Sequence, residues 1–119
     1  MDSYKKFNKC TKQMYKDLLV IFPNESIFTV AETAFIILKQ INKESPAVYF
    51  YENAVIPYGE HIINKDASFI YDEKTTLAYF QICKDRLIKF WEALSDENKN
   101  IIWDYLNVLI VMCKDTQVR

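Results

Sequence analysis

Few side chains in this sequence could carry covalent or acid–base chemistry. His61 is the single histidine, and Cys10, Cys83 and Cys113 are three widely spaced cysteines with no Cys-x-x-Cys pair. A nucleophile needs a base beside it. His61 falls in a polar connector next to Glu60, whereas each cysteine falls in an apolar-periodic helical segment, where a thiol serves as a small buried hydrophobe. His61 reads as an exposed or capping residue. One histidine and three dispersed cysteines do not make a closed zinc site. Paired carboxylates occur at Asp72-Glu73 and Asp96-Glu97, with Asp66 upstream, but they lie in the connector or at helix starts, where the helix dipole favours acids. A phosphate-cradling loop cannot be built around the only glycine, Gly59. The sequence therefore assigns no catalytic residue, no metal and no cofactor.

What remains is binding. Lys5, Lys9, Lys12 and Lys16 recur at i, i+4, i+7 and i+11, one face of a helix, with Lys6 nearby. From residue 1 to 16 five Lys stand against one Asp, a local net of +4 in a chain whose total is −1. Such a face suits nucleic-acid phosphate, an anionic membrane surface or an acidic protein. It is second choice, because Arg, the favoured reader of bases, is absent from it. The aromatic group Tyr49, Phe50, Tyr51 and Tyr58 is a second feature, since so many rings on a short element cannot all point inward, and exposed Tyr and Phe mark protein contacts.

The elements that position these residues are helices. The chain has 119 residues, 50% of them hydrophobic, 15 Lys+Arg against 16 Asp+Glu, one Gly and three Pro. That composition excludes disorder, collagen and disulfide frameworks, and the length fits one domain with a real core. An all-β fold would need several positive-φ turns that one glycine does not supply. The periodicity predicts a first helix over about Ser3 to Ile21, carrying Phe7, Thr11, Met14, Leu18 and Ile21 inward and ending at Phe22-Pro23. A second covers about Glu25 to Asn42, with Ile27, Ala31, Ala34, Leu38 and Ile41 on its core stripe and Phe28 and Phe35 beside it. Ser45 as N-cap and Pro46 at the first helical position start a short third helix to about Ala54, which Pro57 closes. Residues Ile56 to Thr75 read as an ordered connector with a helical turn near Glu60 to Ile63, pinned to the body by Tyr58, Phe69 and Tyr71.

The fourth helix is expected over about Thr75 to Leu94, with Leu77, Phe80, Lys84, Leu87, Trp91 and Leu94 in line. Ser95 caps a fifth, from Asp96 to about Lys114, that is apolar nearly all round and therefore expected to be the most buried. The fold class is all-α, a compact single-domain bundle of about five helices over residues 1–119. No apolar leader precedes the first helix, and the apolar run Ile101 to Cys113 falls short of the roughly 20 residues that cross a bilayer. An intracellular protein without a membrane span is expected.

Several segments resemble a group of small proteins encoded by large nucleocytoplasmic DNA viruses of the mimivirus and phycodnavirus type. Asp17-Leu18-Leu19 followed by Phe22-Pro23 is similar to that group's "DLL…FPE" start, though here Asn24 precedes Glu25. Trp91 to Ser95, Asn98-Lys99 and Ile102-Trp103-Asp104-Tyr105-Leu106 are similar to its "W…S…K…IW-x-YL" ending. The resemblance implies a viral, intracellular origin and assigns no site.

With Trp91, Trp103, eight Tyr and eight Phe in one small domain, some large apolar groups are expected at an interface. The functional expectation is a non-enzymatic interaction module that binds a protein partner or itself, as a homodimer. Its contacts are expected from Trp103, Asn107 and Ile110, on the side of the last helix away from Ile102, Tyr105, Leu106, Leu109 and Cys113, together with Tyr49, Phe50 and Tyr51.

Overall fold

A computed structural model describes residues 2–72 and 78–117, and for residues 78–83 the backbone alone. Among the described residues every regular element is helical. Helix α1 spans Ser3–Ile21, α2 Ser26–Ile41, α3 Ser45–Phe50, α4 Ile56–Ile63, α5 Ala78–Glu92 and α6 Asp96–Gln117. A π-helical turn, Tyr51–Val55, joins α3 to α4 without a break, so the chain makes five helical rods. A 3-10 turn at Ala67–Tyr71 follows α4. The radius of gyration, 13.8 Å, is close to the ~13.5 Å expected of a single folded body of this length.

The first rod matches its predicted bounds, and the reason is local. The Asp2 carboxylate accepts from the Tyr4 and Lys5 backbone N–H groups, and Phe22, ahead of Pro23, ends the helix. On α6 the Ser95 hydroxyl accepts from the Asn98 N–H, as the sequence predicts. Leu77 and Phe80, expected on the fourth rod, lie outside the described side chains.

Two expectations about helix ends are corrected. Ser45 is not the cap of α3 but its first residue. Glu44 precedes it without a side-chain cap bond, and the Asn42 Oδ1 in the turn before accepts from the Glu44 and Ser45 N–H groups and the Ser45 hydroxyl at 3.1, 2.8 and 2.9 Å. Pro57 does not close a helix. It lacks an N–H and its ring would strike the carbonyl one turn back, and the wide π-helical turn just before it, in which the Ile56 N–H bonds the Tyr51 carbonyl, places Pro57 at the first turn of α4, where a proline is tolerated. The connector is consequently far more helical than its lost periodicity suggests. Tyr58 and Phe69 pin it, stacked at 4.9 Å between centroids, and Tyr71, though 45% exposed, hydrogen-bonds the Glu92 side chain on α5.

The turn after α4 closes without a glycine. The Lys65 N–H bonds the Ile62 carbonyl and the Asp66 N–H the His61 carbonyl, a Schellman closure that puts Lys65 in the left-handed region at φ 53°. Glycine usually fills that position, yet Gly59 lies buried inside α4 with an ordinary helical backbone. Lys65 is held there by its Nζ, 3.3 Å from the Asn100 Oδ1 and 3.6 Å from the Asp104 carboxylate on α6.

Two hydrophobic clusters share α6. Phe7, Met14, Leu18, Phe28, Ala47, Leu109 and Cys113 form the first, from α1, α2, α3 and α6. Ile62, Phe69, Ile70, Trp91, Trp103 and Ile110 form the second, from α4, the 3-10 turn, α5 and α6. Leu109 and Ile110, consecutive and each 2% exposed, serve one cluster each. That double duty is why α6 is apolar on two faces. Its third face, with Asp104, Val108, Val111 and Asp115, is exposed.

Candidate functional site

The groups able to do chemistry do not converge. The His61 ring lies 3.0 Å from the Asp66 carboxylate at the end of α4 and against Phe69. Asp66 is held below the usual carboxylate range chiefly by the Ser68 backbone N–H that it caps, and next by His61. Cys113 sits in the first cluster with its thiol donating to the Ala47 carbonyl, and burial pushes it up to about 11. Cys10 packs against the same cluster and is raised by burial too. The Cys83 side chain lies outside the described residues, as does Glu73. Among the described residues no three His, Cys, Asp or Glu side chains gather to hold a metal, and no helix is long and apolar enough to cross a membrane.

The expected contact face of α6 is corrected. Trp103 is 5% exposed, edge-on to Trp91 at 5.0 Å, and Ile110 is buried beside them. Asn107 donates its amide to the Ile62 carbonyl at 3.2 Å and the Trp103 carbonyl at 2.9 Å, so it ties α4 to α6. These three residues belong to the chain's own interior, because α4 and the 3-10 turn cover the side that a connector would have left open. Of the aromatic group, Tyr49 is 41% exposed, whereas Phe50 and Tyr51 are half-buried, Phe50 tilted on Phe7 at 5.7 Å. Only Tyr49 is left with substantial surface. Lys5, Lys9, Lys12 and Lys16 are all exposed, and none forms an ion pair with a described carboxylate.

On the flank of the lysine row, α1 is fastened to α6 by a polar contact. The Tyr105 hydroxyl donates to the Asp17 carboxylate, which also accepts from the Gln13 amide at 2.8 Å. Tyr105 first, then Gln13, holds Asp17 below its usual 3.8, and the same bond pushes Tyr105 up to about 12. Asp17 thus adds stability above its unfolded pKa that is lost as the pH falls through its lower folded value. For Tyr105 the gain is present below about 10 and is lost as the pH rises toward 12. Tyr105→Phe is expected to flatten the acid limb of the melting curve below about pH 4 and to leave the slope near neutrality unchanged. Melting temperatures from about pH 2 to 7 for both proteins check this, and parallel acid limbs would refute it.

An exposed apolar row lies on α2. The predicted stripe is rotated: Ile27, Phe28 and Phe35 are buried, while Ala34 is exposed and Ile41 is 66% exposed. The aromatic rings decide this. Phe28 packs on Phe22 and Phe90 at 5.6 and 5.3 Å, and Phe35 on Tyr15 at 6.0 Å, and these larger groups take the core side. Val30, Ala34, Ile37 and Ile41 are left outside at spacings of four, three and four, with Val30 and Ile37 53% and 55% exposed. Such spacing is that of a helix-pairing seam. The sequence signal for it was present, in that α2 carries apolar residues on more sides than one core face needs.

Comparison with protein-family models, with curated proteins and with solved structures gives no match to the chain.

Proposed function

We propose that this protein is a non-enzymatic helical interaction module that pairs with a second copy of itself through the α2 seam. The observation that carries the reading is the seam's order. About a point between Phe35 and Ile36, Val30 is the mirror of Ile41 and Ala34 of Ile37. Two antiparallel copies related by a two-fold axis therefore set Val30 against the second copy's Ile41 and the small Ala34 against its Ile37. A closed two-fold contact needs that self-complementarity. Ser26, Thr33 and Gln40 lie toward the outer flank of the seam and bring no charge to repel a copy. Tyr49, at the neighbouring end of α3, extends the same surface.

The side chains of the seam are already about half covered, so pairing recovers only part of the ~1.5–3 kcal/mol that full burial of each provides. Association costs at least several kcal/mol. The dimer is accordingly weak and concentration-dependent. Light scattering across concentration is expected to show the mass rising from one chain toward two. Val30→Glu or Ile41→Glu should each hold it at one chain with helicity and melting temperature unchanged, since both sites are exposed. Val30→Glu combined with Ile41→Lys in one chain should restore the dimer, because the antiparallel register places opposite charges face to face twice. A wild-type mass of one chain up to the solubility limit, or a Val30→Glu mass equal to wild type, would overturn the reading.

The uncompensated lysine row on α1 supports a second reading, nucleic-acid binding. Its mark is an affinity for DNA or RNA that falls steeply with salt as counterions are released, and that is lost when Lys5, Lys9, Lys12 and Lys16 become Gln. An origin in a large DNA virus, implied by the Asp17-Leu18-Leu19 and Ile102-to-Leu106 segments, is part of the same proposal.

A further inference from the structure

A cavity of about 550 Å³ runs between α2 and the rest of the bundle, half-enclosed and reaching the surface beside Ala34, Ile37 and Tyr49. Protein interiors are packed to the density of organic crystals and leave few voids larger than a water molecule. This volume lies instead in the range of small-molecule sites, about 300–1,000 Å³. Its walls come from both hydrophobic clusters, Phe7 and Leu109 of the first and Ile62 and Trp103 of the second, so the space is elongated across the molecule.

The chemistry of the wall selects the occupant. No charged side chain is among its described residues. Two of its polar groups already have their donors engaged: the Thr11 hydroxyl donates to the Phe7 carbonyl at 2.8 Å, and the Asn53 amide to the Tyr49 carbonyl at 3.0 Å. The Tyr15 phenol, pushed up to about 12 chiefly by burial, stays neutral through the physiological range. A bound carboxylate or ammonium would therefore be buried with no opposite charge beside it, which is costly. Water is no better matched, since a buried water needs two to four polar partners.

We infer that this cavity binds a neutral, lipid-like molecule: an extended hydrocarbon whose only polar group is uncharged. The inference is tested separately from the α2 pairing, although the cavity opens on the same surface. Ala34 and Ile37 border both the cavity and the seam, whereas Val30 and Ile41 line the seam alone, so the variants that test pairing leave the cavity intact.

The test uses the full chain and the uncharged fluorophore N-phenyl-1-naphthylamine. Its emission is expected to rise saturably to one probe per chain, and equally in Val30→Glu. Hexadecan-1-ol should displace it at a concentration at least about tenfold lower than hexadecanoate at pH 8, because only the acid brings a charge into a site with no opposite charge. Ala31→Phe, which fills the cavity from α2, should weaken probe binding at least about tenfold while helicity by circular dichroism is retained, as should Leu106→Trp from α6. Absence of saturable binding by the wild type would overturn the inference whatever the variants do. So would equal displacement by the acid, or undiminished affinity in whichever cavity-filling variant remains folded.

Discussion

Ile110→Glu is expected to leave a chain that no longer folds at neutral pH. Ile110 is 2% exposed and is surrounded by Ile62, Trp91 and Trp103, with no cation in its cluster. An ionised carboxylate there loses its hydration without gaining a partner, a penalty of at least several kcal/mol. Whole-domain stability is only about 5–15 kcal/mol. Ile110→Val, which removes one methylene, should cost about 0.5–1.5 kcal/mol and stay folded. Far-UV circular dichroism and a melting scan of the three proteins decide the matter. A folded, monomeric Ile110→Glu would mean that this face of α6 is an interface after all, and the placement of the second cluster would be wrong. Val30→Glu is the contrast: the same new charge is tolerated on a side chain 53% exposed and not on one buried in the cluster that holds both tryptophans.

Leu109→Ala should lower the unfolding free energy by about 2–5 kcal/mol, read from urea denaturation with an unchanged slope. Leu109 is 2% exposed and touches the cluster that joins α1, α2 and α3 to α6, and it also borders the cavity. Truncation there enlarges an existing space, and the surroundings have little freedom to collapse into it. Leu106→Ala, one turn earlier and only half-buried, should cost less. If the two losses were equal, or Leu109→Ala cost under about 1 kcal/mol, α6 would not be the spine of both clusters.

The helical class, the first rod and the caps at Asp2 and Ser95 belong to the sequence alone, because each rests on contacts within a few residues. Phe7, Met14 and Leu18 repeat at helical spacing, a proline follows Phe22, and a serine sits three residues before Asn98. The same local logic makes the lysine row of α1 solvent-facing, since Lys5, Lys9, Lys12 and Lys16 lie opposite Phe7, Met14 and Leu18 on the helix.

Where local signals pointed one way and packing another, tertiary structure decided. Pro57 reads as a stop, but a π-helical turn carries the rod past it. The only glycine lies inside a helix, while the left-handed turn is taken by Lys65, held by its contacts to Asn100 and Asp104. Once that connector coils, it covers the second face of α6, and Trp103, Asn107 and Ile110 become interior. An exposed apolar row is left on α2 instead, where Phe28 and Phe35 outcompete Ala34 and Ile41 for the core. Periodicity places apolar residues on a helix face, but it cannot say which of two apolar faces a distant segment will cover. That choice depends on ring volume and on neighbours tens of residues away, which only the assembled bundle supplies.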